Sequence, residues 1–281
     1  MNPARKADAL PPLLRWAGSK RKLLPRLLSH IPHDIQRYVE PFSGSACLFF
    51  ALRPVTAIIA DLNVQLMETY GIVRAHPTKT ARALAAMSGE ATAYYQIRSQ
   101  RPETLAEVDR AARFIYLNRH CFNGVYRTNR SGHFNVPLGS RLGVIPNEDH
   151  FKRCARALRS AELMSGDFQS VLQRVTKGDF VYLDPPYAKN NSRIRGEYGY
   201  HSFGVHDLPR LRDALEKIDR IGATFLLSYA SCPEIDEIQK LWFSDDIRVR
   251  RQVGGFAKHR EVVSEVLISN RSLFSDATVP K

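Results

Sequence analysis

The stretch YVEPFSGSACLFFAL, residues 38–52, decides the fold of this 281-residue chain. Its first three residues predict a short strand, PFSGSA a turn of small residues, and CLFFAL the start of an apolar helix. A second strand is predicted at residues 57–60 and ends on Asp61. This order is typical of the βαβ unit of a nucleotide-binding fold: a strand, a loop of small residues, a helix, and a second strand that ends on an acid. We therefore expect an α/β protein with a mainly parallel sheet.

The loop after the first predicted strand is a candidate ligand site. Gly44 and its small neighbours would let a ligand approach the backbone closely, and Asp61 stands where an acid would accept hydrogen bonds from ribose hydroxyls. The loop lacks the full GxGxxG fingerprint of dinucleotide enzymes. Tight packing of a helix on a sheet is the alternative explanation for the small residues.

A second informative stretch is FVYLDPPYAKNN, residues 180–191. FVYL predicts a buried strand, and the two prolines cannot donate to a ladder that would extend it. The strand must therefore stop at Asp184. Ligands of open α/β sheets bind at the carboxyl ends of strands, so this acid is a candidate active-site residue. An ordinary turn is the alternative, because Asp-Pro pairs also begin turns.

Composition points to a globular protein with a polyanionic partner. The chain is 44% hydrophobic and carries 41 Lys plus Arg against 28 Asp plus Glu, a formal net charge of +13. The four cysteines lie far apart without a CxxC pair, which favours neither a zinc site nor a disulfide framework. No apolar run predicts a signal peptide or a membrane span, so we expect a soluble, cytoplasmic protein.

The basic residues cluster in two regions, and each could also be a merely solvated face. Between residues 110 and 159 the only acidic residues are Glu148 and Asp149. The basic residues of the same segment are Arg110, Arg113, Arg119, Arg127, Arg130, Arg141, Lys152, Arg153, Arg156 and Arg159. A second group surrounds a predicted Gly-Gly turn at residues 254–255: Arg248, Arg250, Arg251, Lys258 and Arg260.

The α/β pattern is interrupted in the middle of the chain. Residues 62–119 have helical periodicity, and residues 122–143 are dense in Gly, Asn and Arg with interleaved aromatics, which is typical of a surface loop. The α/β pattern then resumes with strands at AELMSGDF, FVYL and TFLLS and at residues 247–253 and 262–268. Helices are predicted at residues 206–221 and up to Trp242. An inserted, basic segment therefore separates two parts of one α/β unit.

Five fragments together resemble a known family. RWAGSK, VEPFSGSA, ADLN, YLNRHCFNGVYRTNRSGHFNVPLG and DPPY follow one another in the chain. In this order they resemble the motifs of the Dam-type, or D12, class of DNA adenine-N6 methyltransferases. DPPY alone also occurs in other amino-methyltransferases, whereas the ordered set is far more specific. The matching blocks run from Arg15 to Ile268, nearly the whole chain.

The resemblance implies a Rossmann-like fold that uses S-adenosylmethionine and no metal, with an inserted, mainly helical target-recognition domain. Residues 1–68 and 151–281 would form the catalytic domain and residues 69–150 the recognition domain. The substrate would be double-stranded DNA, methylated on a flipped-out adenine in GATC or a related site. The protein would act as a monomer in the cytoplasm, at the nucleoid.

The resemblance also implies roles for individual residues. The catalytic corner would be Asp184, Pro185, Pro186 and Tyr187. The cofactor-binding residues would be Trp16, Lys20, Glu40, Phe42, Gly44, Asp61, Asp167, Phe168 and Asp184. The residues on DNA would be Arg15, Phe122, Asn123, Val125, Arg127 and Arg141. Within these sets Lys20 would lie near the cofactor's carboxylate, Asp61 on its ribose and Asp167 at its adenine edge.

The predicted corner suits adenine chemistry. The N6 lone pair is delocalised into the ring, so the amino group needs acceptors that hold its two hydrogens. The Asp184 carboxylate can accept one and the Pro185 carbonyl the other, and Tyr187 offers a ring for stacking. One residue departs from the family pattern, because Ala46 replaces a second glycine in the cofactor loop. In addition, the segment of residues 188–199 cannot be aligned with the family.

Other interpretations stay open on the sequence alone. The rivals are an enzyme of similar chemistry on RNA or a protein amide, a dinucleotide oxidoreductase, and a DNA-binding module with an inactive pocket. Trp16 could be a core aromatic, Lys20 a solvated lysine and Arg127 a phosphate contact. Three aromatics are assigned to core packing: Phe114, Tyr116 and Tyr182.

Overall fold

A single seven-stranded sheet organises the molecule. The computed structural model describes residues 9–129, 131–140, 142–187, 203–250 and 262–272. The strand order is β3-β2-β1-β4-β5-β7-β6, and β7 alone runs antiparallel to its neighbours. The strands are β1 (Arg37–Glu40), β2 (Ala57–Asp61), β3 (Ala161–Ser165), β4 (Asp179–Leu183), β5 (Thr224–Ala230), β6 (Phe243–Arg250) and β7 (Val262–Ser269).

Ten α-helices are present in the described part of the chain. They are α1 (Leu24–Ser29), α2 (Cys47–Leu52), α3 (Val64–Ala75), α4 (Pro77–Ala85), α5 (Ala91–Ser99), α6 (Glu107–His120), α7 (Glu148–Leu158), α8 (Phe168–Leu172), α9 (Leu208–Arg220) and α10 (Pro233–Gln239). Short 3-10 turns occupy Lys20–Leu23, Pro102–Thr104, Phe122–Gly124 and Val205–Asp207. None of these helices is long and apolar enough to cross a membrane, for the residues described.

The sheet is covered on both faces, as expected for a mainly parallel sheet. One face packs with α2 to α7 around Tyr38, Phe180 and Tyr182. The other face packs with α8 to α10 around Val181 and Leu227. Every residue of β4 is buried, and burying a side chain such as Phe180 contributes roughly 1.5–3 kcal/mol. This burial explains why the central strand reads as an apolar run, FVYL, after Asp179, which pairs with Arg37.

The predicted Rossmann-like α/β architecture is confirmed, and the boundaries of two elements are corrected. The helix expected up to Trp242 ends at Gln239, and the strand expected at residues 247–253 already begins at Phe243. β6 is an edge strand with an exposed, polar start, so the apolar alternation that marks a strand is weak there. Phe114, Tyr116 and Tyr182 are buried as predicted. The second basic group falls mostly on residues 251–261, which lie outside the described ranges.

Candidate active site

The candidate site lies where the order of the strands reverses. From β1 the chain moves to β2 and β3 on one side of the sheet, and from β4 it moves to β5 on the other. Loops that leave adjacent strands in opposite directions open a crevice at their carboxyl ends. A cavity of about 1010 Å³ occupies this place. Its volume is at the upper end for ligand pockets, so it has room for more than one ligand group.

The cavity brings together the residues that the sequence assigned to catalysis and to the cofactor. All of them line it: Trp16, Lys20, Glu40, Phe42, Gly44, Asp61, Asp167, Phe168, Asp184, Pro185, Pro186 and Tyr187. They lie at or just after the ends of β1, β2, β3 and β4, or in the segment before α1. Residues that are up to 171 positions apart, from Trp16 to Tyr187, therefore share one crevice.

The loop after β1 lines the cavity in a left-handed conformation that lies close to the Trp16 ring. Gly44 has a φ of +45°, and a Cβ built on it would lie 2.6 Å from Cδ1 of Trp16. Its carbonyl accepts a hydrogen bond from the Tyr70 hydroxyl at 2.8 Å. Ala46, where the family often has glycine, also adopts the left-handed region with a φ of 50°. The loop thus keeps a glycine-type geometry at a position occupied by alanine.

Asp61 ties the ends of β1 and β2 together. Its Oδ2 accepts a hydrogen bond from the backbone N–H of Gly44 at 2.9 Å, and its Oδ1 accepts one from that of Asn63 at 2.9 Å. Burial raises the pKa of Asp61, and these backbone donors oppose the rise. The Leu62 backbone is a third donor, and an ionised carboxylate offers about four acceptor positions, so Asp61 keeps the capacity to accept a further hydrogen bond.

Glu40 is a second acid at the base of the cavity. Its side chain is almost fully buried and accepts a hydrogen bond from the Tyr38 hydroxyl at 3.0 Å. Burial raises the pKa of Glu40 well above its usual value, and the nearby Asp184 carboxylate adds to the rise. Glu40 therefore holds its proton more strongly than a solvated glutamate does.

The corner after β4 is built around Asp184. Oδ1 of this residue accepts a hydrogen bond from Nζ of Lys20 at 2.6 Å and one from Oγ of Ser228 at 3.0 Å. Lys20 is only 4% exposed and also donates to the Gly18 carbonyl at 3.1 Å. The interpretation of Lys20 as a solvated lysine is therefore wrong. In this structure its ammonium group contacts the proposed catalytic carboxylate directly.

The ionisation of Asp184 is set by opposing effects. Burial raises the pKa of Asp184, the Lys20 ammonium lowers it, the buried Glu265 carboxyl raises it, and the Ser228 hydroxyl lowers it. The net direction is upward. Lys20 is therefore needed to keep the carboxylate ionised in a partly apolar crevice.

Two groups of aromatic side chains lie at the cavity wall. The Tyr187 ring meets the Tyr229 ring edge to face at 5.1 Å, with Nζ of Lys20 at 5.3 Å from the Tyr187 centroid. Phe42, Phe168 and Phe203 form a second group with ring centroids 5.3 to 5.8 Å apart. These ring faces suit the planar faces of ligand groups such as nucleobases.

Asp167 begins helix α8 and is held from two directions. Its Oδ1 accepts a hydrogen bond from the Gln169 backbone N–H at 2.9 Å and one from the Arg210 guanidinium at 2.7 Å. The carbon at the centre of that guanidinium lies 5.0 Å from the Phe168 ring centroid. Arg210 therefore contacts both Asp167, which was assigned to the cofactor's adenine edge, and Phe168, which was assigned to cofactor binding.

The residues assigned to DNA that the structure describes are not part of the cavity wall. Phe122, Asn123 and Arg127 are exposed, Arg15 is half-buried, and Val125 packs partly against the core. Arg141 lies outside the described residues. Arg127 donates from Nε to Oδ1 of Asn135 at 2.8 Å. These residues are grouped on and beside the loop after α6, and their roles on DNA stay predictions.

Neighbours in the same loop do reach the cavity. Tyr126, Thr128, Asn129 and Gly132 line it. The Tyr126 ring stacks on Trp16 with centroids 5.8 Å apart and planes 15° apart, and its hydroxyl donates to Oε1 of Gln65 at 3.0 Å. The loop and the cofactor-side wall are therefore in direct contact.

Several residues of the site escaped the sequence analysis. Ser228, Glu265, Arg210, Phe203 and Tyr126 all contribute to the geometry above. For Ser228 a signal existed, since it is a hydroxyl residue inside the buried run FLLSYA. The described residues contain no group of three or more His, Cys, Asp or Glu side chains that could hold a metal ion.

Comparison with known proteins gives one family. A family model described as D12 class N6 adenine-specific DNA methyltransferase matches residues 16–252. The match contains every described residue of the cavity wall. It includes both the loop after β1 and the corner after β4.

Individual relatives match along nearly their whole length. Type II methyltransferase M1.LlaDCHI of Lactococcus lactis subsp. cremoris is 32% identical over 271 residues, which cover 93% of this chain and 95% of that protein. Type II methyltransferase M.MjaIII of Methanocaldococcus jannaschii is 31% identical, over 92% of this chain and 98% of its own. The Retron Ec67 DNA adenine methylase of Escherichia coli is 30% identical, over 91% and 90% respectively.

Proposed function

Since the chain belongs to the D12 class of N6 adenine-specific DNA methyltransferases, we propose that it transfers the methyl group of S-adenosylmethionine to the N6 amino group of an adenine flipped out of duplex DNA. One observation carries the proposal. The acidic corner at Asp184 and the small-residue loop at Gly44 line the same cavity. A methyl donor held by the loop and a base held at the corner would therefore meet inside it.

The residues of the cavity fit S-adenosylmethionine. The Trp16 ring lies against the Cβ position of Gly44 at the cavity wall, Asp61 retains acceptor capacity for a ribose hydroxyl, and Phe168 offers a ring face. Trp16, Glu40, Phe42 and Asp167 complete this side of the wall. When bound, the cofactor supplies an electrophilic methyl group.

The corner would hold the amino group that accepts the methyl. The Asp184 carboxylate would accept one N6 hydrogen and the Pro185 carbonyl the other, and Pro186 fixes the direction of the backbone there. Acceptors that are already aimed stabilise the positive charge that develops on the nitrogen. Tyr187 would stack on the flipped base, which offsets part of the unstacking cost of a few kcal/mol.

The loop after α6 would read the DNA. Phe122 would fill the gap that the flipped base leaves, and Asn123, Val125 and Arg127 would contact base edges or the backbone, with Arg15 and Arg141 on phosphates. Residues 69–150 would then act as the recognition domain, and residues 1–68 and 151–281 as the catalytic domain. We propose GATC or a related sequence as the target.

The net charge of +13 suits a DNA partner and disfavours self-association of free copies. We therefore propose that the protein acts as a monomer, in the cytoplasm, on double-stranded DNA. Two of the relatives are named type II methyltransferases and one a retron methylase. A role as the modification enzyme of a restriction system is supported by the first two names.

The test is modification mapping at single-molecule resolution. Unmethylated plasmid is incubated with the purified protein and S-adenosylmethionine, and in parallel with an Asp184→Ala variant. N6-methyladenine at one short motif, absent with the variant, is the expected result. Binding of S-adenosylmethionine without modification of DNA would count against DNA as the substrate, and the same assay on RNA would follow.

A further inference from the structure

A buried serine lies directly behind the proposed catalytic carboxylate. β4 and β5 pair in parallel with Leu183 opposite Leu227, so the next residues along, Asp184 and Ser228, are neighbours across the sheet. Ser228 is fully buried, and its Oγ lies 3.0 Å from Oδ1 of Asp184. On its other side the same Oγ lies 3.1 Å from the Tyr182 hydroxyl. Three polar groups thus form a chain beneath the cavity.

The chemistry of the three groups fixes the direction of this chain. An ionised carboxylate can only accept, so the single hydroxyl hydrogen of Ser228 is donated to Asp184. The Tyr182 hydroxyl must then donate to Oγ of Ser228. This donation polarises the serine and strengthens its hydrogen bond to the carboxylate.

Both described donors to Asp184 act on one oxygen. Nζ of Lys20 and Oγ of Ser228 each contact Oδ1, and no hydrogen bond from a described residue reaches Oδ2. Two donors from different directions fix the plane of a carboxylate that one donor would leave free to rotate. Oδ2 is thereby left for a ligand in the cavity.

We propose that Ser228 is a positioning residue for methyl transfer: its hydroxyl holds Oδ1 of Asp184 so that Oδ2 can accept the hydrogen bond from the amino group of the target base. This role rests on the proposed function. Lys20 cannot supply it alone, because a lysine side chain with four rotatable bonds is a less directional anchor than a serine fixed in a strand.

The charged and titratable groups around Asp184 come from several elements. Lys20 faces it from the segment before α1, Glu40 from β1, Tyr182 from β4 and Glu265 from β7. The Ser228 hydroxyl lowers the pKa of Asp184. Removal of the hydroxyl should therefore raise this pKa. The acid limb of the pH–rate profile, where the rate of methyl transfer falls as Asp184 is protonated, should then move to higher pH.

The test compares Ser228→Ala with the unaltered protein in single-turnover methyl transfer, with cofactor and duplex DNA bound beforehand. The rate should fall roughly tenfold to a hundredfold, the range for a hydrogen bond to a charged group. The dissociation constant for S-adenosylmethionine should stay within about twofold, as expected when a group acts on the chemical step alone. The acid limb of the pH–rate profile should shift to higher pH in Ser228→Ala. Ser228→Thr should restore both the rate and the pH profile.

Ser269 provides a matched control. It is also a buried serine, on the neighbouring strand β7, but its Oγ donates to the Phe225 carbonyl at 2.6 Å. Ser269→Ala should leave the acid limb where it is. Ser228→Cys, which keeps the volume and donates weakly, replaces the alanine variant if that variant unfolds.

Three outcomes would overturn the role of Ser228. They are an unchanged rate in the alanine or cysteine variant, a slower rate with an unmoved acid limb, and a threonine variant no better than alanine. Absence of methyl transfer by the unaltered protein would instead overturn the proposed function, and the role of Ser228 would fall with it.

Discussion

Nζ of Lys20 lies 2.6 Å from Oδ1 of Asp184, although the two residues are 164 positions apart in the chain. Lys20 is 4% and Asp184 18% exposed, so the carboxylate has little water to stabilise its charge. The pair joins the segment before α1 to the end of β4. It stabilises the fold and also prepares the acid for its proposed role.

Lys20→Met should destabilise the protein by about 3 kcal/mol, because loss of one partner of a buried pair leaves the other charge uncompensated. Urea denaturation at neutral pH measures the change. Arg26→Met is the control, since Arg26 pairs with Asp245 nearer the surface and should lose less, about 1 kcal/mol at most. Equal losses in the two variants would contradict the importance of burial at Lys20.

Glu40→Gln should alter how stability depends on pH. The pKa of Glu40 is raised in the folded state, so its stabilising contribution is complete below the unfolded pKa of about 4.3 and is lost as pH rises through the folded value. Glutamine has no proton to lose, so this decline should be absent from the variant. The free energy of unfolding at pH 5 and pH 8 tests this. Parallel declines in both proteins would show that Glu40 stays easily ionised.

Gly44→Ala should abolish binding of S-adenosylmethionine. A Cβ there would lie 2.6 Å from Trp16, and the positive φ of Gly44 adds strain. Gly71→Ala is the control, because on helix α3 no atom beyond its chain neighbours and the backbone of its own helix lies within 4 Å of its Cβ position. The control should bind normally and gain up to about 1 kcal/mol in stability. Calorimetric titration with the cofactor distinguishes the two, and normal binding by Gly44→Ala would contradict the fit.

Much of this site was predictable from local sequence. The ends of β1 and β4 are marked by abrupt changes from apolar residues to Gly, Ser, Pro and acid, which are features of a few adjacent residues. The pairing of Lys20 with Asp184 was not predictable in this way. Neither periodicity nor turn chemistry reports a contact between segments 164 residues apart, and Lys20 alone reads as a solvated lysine.

The same reasoning applies to Ser228 and to β6. Ser228 acquires its partner only through the register of β4 with β5, which no single strand encodes. β6 is an edge strand whose first residues are exposed, so burial does not impose an apolar alternation on them. The local pattern therefore identified the elements better than it identified their partners.

Tyr126→Ala should weaken cofactor binding although Tyr126 belongs to the loop that we propose reads DNA. The change removes the stack on Trp16 and contacts with Phe114 and Phe134, a loss of about 3 kcal/mol in stability. Tyr126→Phe keeps the rings and loses only the hydrogen bond to Gln65, about 1 kcal/mol. Titration with S-adenosylmethionine should give the Tyr126→Phe variant an affinity close to that of the unaltered protein. The affinity of the Tyr126→Ala variant should be well below it. Equal affinities would show that the stack does not support the cofactor side.

Arg127→Ala should relax sequence discrimination. A bidentate contact from arginine to guanine is worth about 1–3 kcal/mol of specificity, and Arg127 is exposed on the loop that would meet DNA. Methylation rates on the mapped site and on its single-base variants measure the loss. Arg212→Ala, on helix α9 behind the opposite face of the sheet, should keep the ratios unchanged. Preserved ratios in Arg127→Ala would instead assign Arg127 to a phosphate.

The Trp16–Tyr126 stack also limits how target specificity can be re-engineered. The loop after α6 is an obvious segment to exchange with that of a relative, because it connects two helices and carries the proposed DNA-reading residues. Tyr126, however, is shared between the loop and the cofactor-side wall. A graft from a relative with another target would have to keep an aromatic at this position, or the new specificity would come with a weakened methyl-donor site.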